Sequence, residues 1–66
     1  MTIIINGDTK EVPAGLTLQD VLEFFSLPSQ RVAVELNKAV ISRRDWKTTK
    51  VSEKDKIEVI HFVGGG

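Results

Sequence analysis

The chain has 66 residues, 41% apolar and 27% charged, with one histidine and no cysteine. This is too apolar for a disordered chain, and a chain this short buries only ~60% of its unfolded surface, which excludes a second domain and a deep catalytic cleft. The missing cysteine removes a disulfide framework, a thiolate zinc site and a cysteine nucleophile together, and nine basic residues against nine acidic ones give no footprint for nucleic acid.

Thr2-Ile3-Ile4-Ile5 is a β-branched run that ends at Asn6-Gly7, the strongest short hairpin signal, and Lys10-Glu11-Val12 reads as the returning strand before Pro13 and Gly15. Thr17 stands three residues before Asp20, just ahead of an apolar pattern. This predicts a helix start, with the Thr17 hydroxyl accepting from first-turn amides and Asp20 favoured by the helix dipole. Leu18, Val21, Leu22 and Phe25 follow at i, i+3, i+4 and i+7, and Pro28 limits the helix to an end near Phe25 or Ser26. Val32, Val34 and Leu36 alternate with Ala33, Glu35 and Asn37, as in a half-buried strand. Asn37-Lys38 predicts a turn and Ala39-Val40-Ile41 a short return strand. Residues 42–56 are polar, with Trp46 and Val51 as the large apolar anchors. Ile57 to Val63 is the last strand, with Ile57 and Val59 on one face and Glu58, Ile60 and Phe62 on the other.

Two strands, one helix and two or three further strands predict an α+β fold, a mixed sheet of four to five strands with the helix packed across it. The expected core is Ile3, Ile5, Leu18, Val21, Leu22, Phe25, Val32, Val34, Leu36, Ile57 and Val59. Two hairpins joined by a helical crossover are the plan of the β-grasp, or ubiquitin-like, roll, although packing alone allows other ββαββ arrangements. Residues 1–63 are read as one such domain and 64–66 as a flexible tail. No basic and apolar leader opens the sequence and no apolar run approaches ~18 residues, so the expectation is a cytoplasmic protein, monomeric on its own, without membrane or nucleic-acid partners.

Gly64-Gly65-Gly66 follows the last strand directly. Glycine lets a backbone thread a narrow tunnel at any φ and ψ. A terminal carboxylate at Gly66 is ionised at neutral pH and can attack the α-phosphorus of ATP in another protein's active site. With no cysteine, an activated sulfur on this chain would have to be carried at Gly66. Ile60 and Phe62 point away from the helix-covered face; with Ile4 and Val63 they would form an apolar docking patch beside the tail if the first strand lies next to the last. His61 alternates onto a strand face as a surface or packing residue, and Glu53 and Asp55 could bind a metal only with more ligands than their segment offers.

Arg31-Val32-Ala33-Val34-Glu35-Leu36-Asn37 and Ile57-Glu58-Val59-Ile60-His61-Phe62-Val63-Gly64-Gly65-Gly66 resemble the central block and the end of the ThiS family of sulfur carriers in thiamine biosynthesis. Ile5-Asn6-Gly7, Val12-Pro13, Leu16-Thr17-Leu18, Arg43 and Trp46 are similar to that family as well, so the likeness spans the chain. Lys54-Asp55-Lys56 departs from the Gly-Asp of many relatives, which predicts a tighter or differently shaped turn.

The resemblance implies a β-grasp carrier that is a substrate and not an enzyme. A ThiF-like activating enzyme, with ATP and magnesium bound to it and not to this chain, would adenylate Gly66. A cysteine desulfurase or another persulfide donor would supply sulfur, giving a thiocarboxylate, with an acyl disulfide as an intermediate in some lineages. A ThiG-like thiazole synthase would receive the sulfur. Gly64 and Gly65 would thread the partners' active sites. A molybdopterin-type carrier, a protein modifier and a passive β-grasp interaction module remain open as other readings.

Overall fold

The structure is a computed structural model, and it describes residues 1–62. Strand β1 (Thr2–Ile5) and strand β2 (Asp8–Glu11) form the first hairpin, followed by helix α1 (Leu18–Phe24). Strand β3 (Val32–Leu36) and strand β4 (Ala39–Ile41) form the second hairpin, a 3-10 turn spans Arg43–Asp45, and strand β5 (Lys56–His61) comes last. The sheet order is β2-β1-β5-β3-β4. β5 is inserted between the hairpins, parallel to β1 and antiparallel to β3. This five-stranded mixed sheet with one crossing helix is the β-grasp architecture that the element order predicted.

Local chemistry explains each hairpin. Asn6 and Gly7 have φ of 48° and 86°, and Asn37 and Lys38 have φ of 51° and 73°. Two consecutive positive φ values define a type I′ turn, whose twist matches the strands it joins. Asparagine and glycine reach this region at low cost.

Helix α1 is held at both ends. The Asp20 backbone N–H donates to Thr17 Oγ1 at 3.1 Å, and the Thr17 N–H donates to Asp20 Oδ2 at 3.0 Å, closing a reciprocal capping box. The N–H groups of Leu18 and Gln19, which have no partner within the helix, donate to the carbonyls of Thr49 and Trp46. At the other end Leu27 N–H reaches Leu22 O and Ser26 N–H reaches Glu23 O, the bond pair of a Schellman motif. Ser26 takes the left-handed position there, at φ 53°.

The core holds Ile3, Ile5, Leu18, Val21, Leu22, Val32, Val34 and Ile57 as expected, together with Val12, Trp46 and Val51. Phe25, Leu36 and Val59 pack against it only partly buried, a correction to the expected core. The reason is coverage. Seven helical residues span only ~10 Å, half the width of five strands at ~4.8 Å spacing. The polar segment 42–55 completes the layer by inserting Trp46, whose indole N–H donates to Ile41 O at 3.0 Å while the Arg43 guanidinium stacks 4.7 Å from the ring centroid. Before β5, Asp55 N–H donates to Ser52 O, closing a tight turn with Lys54 at φ 66°. A positive φ at this third position is what a type II turn asks of glycine, so the lysine is carried in a glycine conformation.

Candidate functional site

The site is the end of the sheet from which β5 leaves. Because β5 runs parallel to β1, the Asn6-Gly7 turn lies at that same end, and because β3 runs antiparallel, so does the start of β3. Phe62 N–H donates to Arg31 O at 2.8 Å, which holds the chain against β3 one residue past the strand. Val63, expected in the docking patch, and Gly64, Gly65 and Gly66, expected to carry the chemistry, lie outside the described residues.

On the sheet face away from the helix, Ile60 stands opposite Ala33, and Glu58 stands opposite Glu35, which in turn faces Val40 across β4. Ile60 is 45% exposed, Phe62 58% and Val40 69%. Ile60 and Phe62 are exposed apolar side chains beside the point where the chain leaves the sheet, while Val40 is exposed on the edge strand β4, beyond Glu35. The alternation of β5 explains it: Ile57 is buried and Val59 half-buried under the helix layer, so Ile60 is turned outward.

The expected patch needs one correction. β1 does lie beside β5, but the register sets Ile4 opposite Lys56, four residues before Ile60. At ~3.3 Å per residue this is ~13 Å along the strand, with Glu58 between them on the same face. Ile4 is half-buried and outside the patch. Val40, which pairs with Glu35, faces outward on the edge strand β4.

On the helix side of the same end, Ile5, Asn6, Asp8, Lys10, Phe25 and Leu27 line a shallow concavity of about 280 Å³, with Lys10 Nζ 5.9 Å from the Phe25 ring centroid. His61 is exposed and stands opposite Val32. Among the described residues no three His, Cys, Asp or Glu side chains gather as a metal site, and no helix is long and apolar enough to cross a membrane. What the geometry provides is a strand end paired to β3 with an exposed apolar face.

The profile of the ThiS family matches residues 3–66, the glycine end included. The chain belongs to the ThiS family. A crystal structure of a thiamine biosynthesis protein, ThiS, from Geobacter metallireducens superimposes with a TM-score of 0.89 at 30% identity, over 100% of both chains. The sulfur carrier protein ThiS of Bacillus subtilis is 40% identical over 50 residues, 76% of each chain. A thiazole synthase of Magnetococcus marinus is 44% identical across the whole of this chain, which spans only 20% of that protein.

Proposed function

We propose that this member of the ThiS family is a sulfur carrier for thiamine biosynthesis, with Gly66 as the loaded residue. The observation that carries the reading is the family match, whose range extends to Gly66 and so takes in Gly64 and Gly65. The exposed face around Ile60 and Phe62 supports it, because a carrier has to present its tail to at least two enzymes and needs a surface for them to hold.

The chemistry follows from the carboxylate. One Gly66 oxygen attacks the α-phosphorus of ATP, pyrophosphate leaves, and an acyl adenylate forms. A ThiF-like enzyme supplies the site, the ATP and the magnesium. A persulfide sulfur from a cysteine desulfurase then attacks the acyl carbon and AMP leaves. A thiol reduces the resulting acyl disulfide, freeing the thiocarboxylate. Gly64 and Gly65 have no Cβ to clash with a narrow channel. The carrier binds neither cofactor nor metal and contributes no catalytic side chain; it acts in the cytoplasm, where ATP is at hand.

The acceptor in this reading is a ThiG-like thiazole synthase. The Magnetococcus relative supports that choice, since a segment like this chain and a protein described as a thiazole synthase share one polypeptide there. The test is an intact-mass spectrum of the protein from its native host, with fragmentation of the C-terminus. One oxygen replaced by sulfur at Gly66 is the expected result. An unmodified Gly66, even after incubation with ATP, the host's adenylating enzyme and a sulfur donor, would remove the carrier reading.

A further inference from the structure

We propose that Asn6 is a positioning residue, whose side chain fixes the last part of β5 on its β1 side for presentation to a partner enzyme; this rests on the carrier reading above. β1 pairs with β5 only at Ile4–Lys56 and Ile5–Ile57, and Asn6 N–H then donates to Ile57 O at 2.9 Å. At that point the type I′ turn takes the chain away from β5. The Val59 N–H, next in the parallel ladder, is met by the Asn6 side chain instead, with Oδ1 accepting at 2.8 Å. A side-chain amide thus stands in for a strand carbonyl and carries the ladder one step past the end of β1.

The other end of β5 has a counterpart. Asn37, also first in a type I′ turn, accepts from Lys56 N–H through Oδ1 at 2.9 Å and donates through Nδ2 to Asp55 Oδ1 at 3.0 Å. Two asparagines, one from each hairpin, therefore grip β5 near its two ends. The grips differ in what surrounds them. Asn37 works beside the Ser52–Asp55 turn and further backbone bonds, including Ile4 N–H to Asp55 O. Asn6 works three residues before Phe62, where the β1 backbone has already turned away. Loss of its bond leaves the end of β5 supported from the β3 side alone. The docking face, on Ile60 and Phe62, stays intact.

Loss of this grip predicts a defect in turnover and not in docking. In an ATP–pyrophosphate exchange assay with a ThiF-type adenylating enzyme, Asn6→Gly keeps the turn, because glycine accepts positive φ. Its kcat falls on the order of tenfold, since a small misplacement of the reacting group is costly, while KM stays within about twofold. The Val59 amide exchanges faster with deuterium in the same variant. Asn6→Asp retains an acceptor oxygen and tolerates the left-handed region, so it restores both readouts. Asn6→Ser, too short to reach Val59, repeats the loss by a second route. Thr17→Ala, which weakens the fold at the helix cap, leaves kcat unchanged. Faster Val59 exchange with unaltered kcat in Asn6→Gly overturns the proposal, as does an equal loss of kcat in Thr17→Ala. Absence of exchange with the unaltered protein overturns the carrier reading and this one with it.

Discussion

Ile3, Val34 and Ile57 on the helix-covered face are almost completely buried, whereas Ile60 and Phe62, at the exit end, keep about half of their surface in water. The residue types are the same, aliphatic and aromatic, and so is the alternation that places them. What differs is what lies above each face. The inner face is closed by α1, Trp46 and Val51, and the helix N-terminus is tied to the 42–55 segment by main-chain bonds. Among the described residues the outer face has no second layer. Burial of a large apolar side chain is worth roughly 1.5–3 kcal/mol, so the inner face holds the fold together, while the exposed side chains of the outer face are available to a partner.

Changes to the inner face have the largest effect on stability. Trp46→Ala removes the side chain that completes the layer and its bond to Ile41 O, at a cost of about 3–5 kcal/mol. A domain of this size has only ~3–10 kcal/mol in total. Urea unfolding should show the variant at least partly unfolded in buffer alone, and a fully stable variant would show that the long segment is not part of the core.

On the outer face the pattern reverses. Phe62→Asp should change stability by no more than about 0.5 kcal/mol, yet lower kcat/KM for adenylation on the order of thirtyfold, as loss of an interface anchor does. Ile4→Thr, outside the patch, should leave adenylation unchanged. Normal activation of Phe62→Asp would sink the docking role of this face, and a defect in Ile4→Thr would extend the patch down β5.

This contrast also marks how much could be read in the sequence. Periodicity placed the helix stripe of Leu18, Val21 and Leu22 and the inward set Ile3, Ile5, Val34 and Ile57, because burial on one face writes a period of 3.6 or 2 into the chain. The Asn6-Gly7 turn and the Thr17–Asp20 cap were legible because each uses residue types with a specific backbone task. Partial exposure of Phe25, Leu36 and Val59 was not legible, since it depends on how far a seven-residue helix reaches across five strands. Ile4 was misplaced for a related reason: alternation gives its face but not its register against a strand more than fifty positions away. The ladder role of Asn6 was hidden behind its turn role, one residue serving both.

Intermediate effects come from two left-handed positions filled by residues other than glycine. Ser26 sits at φ 53° in the Schellman end of α1, and Lys54 at φ 66° before β5. A non-glycine residue there costs roughly 1–2 kcal/mol, offset in part by the entropy that glycine adds to the unfolded chain. Ser26→Gly and Lys54→Gly should each raise stability by about 0.5–1 kcal/mol in urea titrations. Neither touches the outer face, so adenylation should not change, and a change would mean that strain in the inner layer reaches the exit end.

The smallest expected effect is a pH dependence confined to the helix start. The Thr17 backbone N–H, and after it the Thr17 side chain, hold the Asp20 carboxyl below the ordinary aspartate range. A carboxyl whose folded-state pKa is depressed binds its proton more weakly in the folded than in the unfolded chain. Its contribution is therefore fully present above the unfolded value of ~3.9 and is lost as pH falls through the lower folded value. Urea midpoints measured from pH 7 to pH 2 should fall more steeply below pH ~4 in the unaltered protein than in Asp20→Asn, which keeps the amide oxygen for Thr17 but has no proton to bind. Parallel curves would mean that the capping box holds its geometry without the charge. Because Asp20 caps the inner layer, Val59 amide exchange at the exit end should not follow this transition, and if it did, the helix start and the tail would be one cooperative unit.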